Sequence, residues 1–65
     1  PIKLSKRQKQ LFPMLDQGLS NRDIAEKLDI SEHTVKVHFW RLYRLLGVNS
    51  RTQALRFARS NGWLV

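Results

Sequence analysis

The chain contains no cysteine, which excludes disulfides, thiolate nucleophiles and cysteine-ligated zinc. Acidic side chains are scarce: five, against twelve Lys and Arg, for a formal net charge of +7 at pH 7. No apolar run approaches the ~20 residues of a membrane span, and no segment reads as a signal peptide. At 65 residues a single domain buries only about 60% of the surface its unfolded chain exposes, which leaves little room for an enzyme pocket. Neither a cofactor nor enzymatic activity is expected. His33 and His38 lie five apart, about 140° around a helix, so they cannot chelate one metal ion together. Ser, His and Asp are all present, but no spacing suggests a catalytic triad. What remains is a small cytoplasmic binding module with a polyanionic partner, either nucleic acid or an acidic membrane surface.

The position of the charge narrows this further. Asp16, Asp23, Glu26, Asp29 and Glu32 all lie in the middle of the chain, and no acidic side chain follows residue 32. Lys36, Arg41, Arg44, Arg51, Arg56 and Arg59 populate that second half. A generic solvated surface interleaves its signs, whereas a uniformly basic stretch suggests a contact face.

Serine and glycine divide the chain into helices. Ser5, Ser20, Ser31 and Ser50 each precede a helical pattern and are suited to N-capping. Gly18, Gly47 and Gly62 each follow one, as left-handed C-terminal caps do. Ser50 with Gln53 has capping-box spacing, and Ser20 with Asp23 is a weaker version. The expectation is an all-α four-helix bundle with helices at about 6–17, 21–28, 32–46 and 51–60, and no sheet. Residues 1–4 and 63–65 read as loose ends. Pro13 falls inside the first helix, where it removes a backbone bond to Lys9 and predicts a kink or a shorter helix.

Helix 32–46 is the most informative. Val35, Phe39, Leu42 and Leu46 form one apolar stripe, and Lys36, Val37, Trp40 and Arg44 fall on another side. A turn of only three residues, Asp29, Ile30 and Ser31, joins it to the preceding helix. Such a connection produces a helix-turn-helix whose second helix protrudes, and the DNA major groove admits one α-helix.

Four stretches carry a family resemblance: QGLSNRDIAEKL at 17–28, ISEHTVKVH at 30–38, LYRLLGV at 42–48 and SRTQAL at 50–55. In these the chain resembles the C-terminal DNA-binding domain of LuxR/FixJ-type bacterial transcription regulators. The resemblance implies a helix-turn-helix and sequence-specific double-stranded DNA binding. It implies base contacts from Lys36, Val37 and the position of Trp40, and phosphate contacts from Asn21, Thr34, Ser50 and Arg51. It also implies a homodimer through the last helix, with Leu55 at the interface, on two half-sites. An N-terminal sensory or receiver domain is implied too, and a chain beginning with Pro1 rather than Met is consistent with a C-terminal fragment of a larger regulator. The outward placement of Arg41 and Arg44 adds them as phosphate contacts, His33 is placed near a phosphate, and Arg59 is placed at a dimer edge.

The chain departs from the family pattern at several positions. Gln8 replaces a common glutamate, Asp29 the usual turn glycine and Leu45 a common lysine. Pro13 is unusual for its helix, and Trp40 stands where a polar base-reading side chain is common. These departures motivate a rival reading, in which Trp40, Tyr43 and Leu45 form a docking patch for RNA polymerase or a partner domain. A basic amphipathic membrane-surface segment is a third reading, disfavoured because the apolar stripes are needed to bury one another.

Overall fold

The structure is a computed structural model describing residues 2–64. It contains α1 (Lys6–Asp16), α2 (Asn21–Leu28), α3 (Glu32–Leu46) and α4 (Arg51–Ser60). There is no strand among the described residues, and the helix ends agree with the sequence reading to within one residue.

All four helices begin alike. Ser5, Ser20, Ser31 and Ser50 are N-caps whose side chains accept the backbone N–H three residues on. Gln8, which stands where the family commonly has glutamate, closes a full capping box: Ser5 N–H donates to Gln8 Oε1 at 2.9 Å. The Ser20 and Asp23 box is likewise complete. The Ser50 box is only half formed, because Gln53 Oε1 accepts from Asn49 N–H at 2.7 Å instead. Ser50 has φ −149°, against −70° to −75° at the other three caps, which turns its own N–H away.

They also end alike. Gly18, Asp29, Gly47 and Gly62 take left-handed backbone conformations, Asp29 being the one non-glycine to do so among the described residues. Asp tolerates that region better than most side chains, so the turn survives without glycine. The next residue then donates its N–H back across the last turn: Leu19 to Met14 O at 3.2 Å, Ile30 to Ala25 O at 3.0 Å, Val48 to Tyr43 O at 3.0 Å and Trp63 to Ala58 O at 2.8 Å. Each of those four donors is apolar and packs on the core. Every helix end is therefore satisfied by a Schellman pair and anchored by a hydrophobic side chain.

The core is built from Leu11, Phe12 and Leu15 of α1, Ile24 and Ala25 of α2, Val35, Phe39, Leu42 and Leu46 of α3, and Ala54 and Ala58 of α4. α3 packs against all three other helices, and α1 also packs against α4. The small side chains at Ala54 and Ala58, both fully buried, leave room for α4 to lie close to its neighbours.

The expected loose ends need correction, whereas α1 runs through Pro13 and ends at Asp16, one residue short of the expected end. Pro13 and Lys9 are both exposed, so water can take the Lys9 carbonyl that Pro13 leaves without a partner. The C-terminal segment is not loose up to residue 64: Trp63 and Leu64 pack on the core, as does Leu4 at the other end. Trp63 lies 5.6 Å from the rings of both Phe12 and Phe57, an aromatic seat assembled from two helices. Pro1 and Val65 lie outside the described residues.

Two substitutions test this packing by urea denaturation. Leu42→Ala should cost about 2–5 kcal/mol, enough to unfold much of a domain this small. Gly47→Ala should cost about 1 kcal/mol from backbone strain alone, because its Cβ would meet nothing within 4 Å while φ is +71°.

Candidate nucleic-acid interface

Burying Val35, Phe39, Leu42 and Leu46 fixes the rotation of α3 about its axis. His33, Lys36, Val37, Trp40 and Arg44 then share an arc of about 100° on the opposite side. Lys36, Trp40, Arg44 and His33 are exposed, and Val37 is half-buried beside them. Arg41 is exposed at the margin of this arc. No acidic side chain lies on it, and Glu32, four residues before Lys36, is exposed at its other margin. The guanidinium carbon of Arg44 sits over the Trp40 ring, 4.8 Å from its centroid, a cation–π contact that restrains both side chains.

A shallow cleft runs beside α3. Asn21 of α2, Lys36, Trp40 and Tyr43 of α3, and Arg51 of α4 surround it, over a floor of Leu15 and Phe39. Four residues expected to touch DNA, contributed by three helices, are thus brought together. Arg51 Nη2 donates to Leu19 O at 3.2 Å, tying the start of α4 to the segment that leads into α2. Arg51 therefore braces the cleft as well as charging it. Ser50 Oγ is occupied as the α4 cap. Thr34 is half-buried at the start of α3, its hydroxyl 2.8 Å from Ser31 Oγ.

Much of the negative charge is used within the fold. Asp16 pairs with Arg59, Glu26 with Arg22 at 3.8 Å, and Asp23 caps α2. These pairs are exposed and contribute little stability, but they offset acidic charge on the α1 and α2 surfaces.

The residues expected at a dimer interface lie elsewhere. Leu55 is half-buried against the core, and Arg59 is exposed and engaged with Asp16. The rival docking patch does not assemble. Tyr43 is half-buried, 5.9 Å from Phe39, and lines the cleft with Trp40. Leu45 is exposed but lies about 140° around the helix from Trp40.

Sequence reasoning had not found the Arg51 tie to Leu19 or the Arg59 pair with Asp16, whose partners are 32 and 43 residues apart. It did contain a signal for the Arg44 contact with Trp40, a spacing of four residues on one helix face.

Comparison with known proteins matches residues 3–58 to the family described as bacterial regulatory proteins, luxR family. A Salmonella typhimurium protein described as a probable csgAB operon transcriptional regulatory protein is 43% identical over 58 residues, 89% of this chain and 27% of that protein. The Bacillus subtilis transcriptional regulatory protein YxjL is 45% identical over 58 residues, with the same coverage of 89% and 27%. Among solved structures, the response regulator ChrA of a heme-sensing two-component system superposes with a TM-score of 0.89. It is 47% identical, over 95% of this chain and 31% of its own. The chain thus spans about a quarter of the length of the curated relatives it matches.

Burial in the cleft wall raises the Tyr43 phenol above its ordinary pKa of 10.0, and the nearby charge of Arg51 partly offsets the rise. The folded state therefore favours the protonated phenol. Its contribution is present below the unfolded value and is lost as pH climbs through the raised one. In thermal melts from about pH 9 to about pH 11, wild type should lose stability relative to Tyr43→Phe.

Proposed function

The chain belongs to the luxR family of bacterial regulatory proteins and is its helix-turn-helix DNA-binding domain, and we propose that it reads duplex DNA by inserting α3 into the major groove. The observation that carries this reading is the acid-free outward arc of α3, flanked by Asn21 and Arg51 across the cleft. Lys36 donates to guanine O6 and N7, and Val37 and Trp40 supply apolar surface to base edges. Asn21, His33, Thr34, Arg41, Arg44, Ser50 and Arg51 hold the phosphates on either side. Thr34 serves with Ser31 donating to it, which leaves its own hydroxyl proton for a phosphate oxygen.

Residues 1–65 act as one domain in this reading. Two copies bind half-sites related by a two-fold axis and meet through the outer face of α4 near Leu55 and Arg59. The solved relative is a response regulator and the chain covers 27% of its curated relatives. Both facts support a signal-receiving domain elsewhere in the whole protein, which would act in the cytoplasm, where bacterial DNA lies. RNA polymerase is a further partner in the same reading, contacted once the regulator is seated on its operator.

The family is one of DNA-binding regulators, and its chemistry is recognition. If each copy neutralises about four to six phosphates, log K should fall with log salt at a slope near −4 to −5 per copy. Fluorescence anisotropy with a labelled duplex measures this, and a slope near zero would count decisively against the reading. Lys36→Ala should reduce the preference for a selected site over random duplex by about 1–3 kcal/mol. Arg41→Ala should weaken both duplexes alike and lower the slope by about one. Arg41 is a cleaner phosphate probe than Arg51, which also braces Leu19. Sedimentation with and without duplex should show two copies per palindromic site, and a single copy at saturation would exclude the dimer.

A further inference from the structure

Trp40 is 57% exposed, more than any other large hydrophobic among the described residues, on a face whose other prominent side chains are basic. Water does not favour that position for an indole. Arg44 at 4.8 Å restrains the ring, and the ring also borders the cleft with Lys36 and Tyr43. Restraint matters because an indole held in place loses less conformational freedom on binding.

Resting on the groove-binding reading above, we propose that Trp40 is a specificity-determining residue that recognises the C5 methyl group of thymine. The chemistry selects this group. In the major groove the base edges present hydrogen-bond donors and acceptors, and thymine alone adds an apolar methyl. An indole has one N–H donor and no acceptor, so it cannot form the paired hydrogen bonds by which Arg, Asn or Gln read a base. Its large apolar surface meets the methyl instead, with half-buried Val37 extending that surface. Trp40 follows Lys36 by four residues, about 6 Å along the helix, so the half-site carries a thymine near the guanine that Lys36 reads.

The test uses this chain and a duplex selected by it from a random-sequence pool. Each thymine is replaced singly by uracil, which removes the methyl and keeps the pairing edge. Wild type should lose affinity about fourfold, the effect of burying one methyl group, at one thymine in each half-site and little at the others. Trp40→Gln should bind the unmodified duplex about fourfold more weakly and be indifferent to that uracil. Trp40→Phe should keep part of the uracil penalty, and Lys36→Ala should keep all of it. Wild type that binds the selected duplex over random DNA yet tolerates every uracil overturns the thymine assignment and leaves groove binding standing. A uracil penalty unchanged in Trp40→Gln also overturns it. Failure to select any duplex, with a salt slope near zero, overturns the groove-binding reading itself.

Discussion

Val35, Phe39, Leu42 and Leu46 take one side of α3 into the core, and that burial sets which residues of the helix can face a partner. Loss of the stripe would free α3 to rotate, and the arc of Lys36, Val37, Trp40 and Arg44 would no longer have a defined direction. The other helices serve this constraint. α1 and α4 supply Leu11, Phe12, Leu15, Ala54 and Ala58 to receive the stripe, and α2 sets the angle at which α3 leaves the turn. The buried stripe and the exposed basic arc therefore occupy opposite sides of one helix.

The repeated helix end is how so short a chain holds that arrangement. Four left-handed residues are each followed by an apolar side chain seated on the core. Backbone satisfaction and hydrophobic burial are thereby combined within two residues, four times over. In a domain that buries a modest share of its surface, such ends reduce the freedom of the connecting segments without longer loops. The turn between α2 and α3 is one of these four, with Asp29 in the left-handed position and Ile30 as its anchor.

Charge is sorted on the same frame. Asp16 and Glu26 find basic partners, and Asp23 caps α2. The basic residues of α3 have one acidic neighbour on their helix, Glu32 at the margin of the arc. The fold thus presents a positive, partly apolar ridge beside a cleft whose rim comes from three helices. Such a mixture suits a ligand that joins phosphate charge to base edges.

Local signals in the sequence determined the four helices, their serine caps, the glycine ends and the division of α3 into two faces. Each of these depends on residues within about one helical turn of one another, and that is why they were legible. The family pattern placed the same residues in a helix-turn-helix, and matching residues 3–58 to the luxR family agrees with it. Tertiary structure alone decided what rests on distant parts of the chain. Arg51 reaches Leu19, Arg59 reaches Asp16, and Trp63 is held between Phe12 and Phe57. It also decided that Tyr43 joins the cleft while Leu45 stays apart from Trp40. Periodicity along a helix gives directions around its axis, and only the packing of other helices shows what those directions meet.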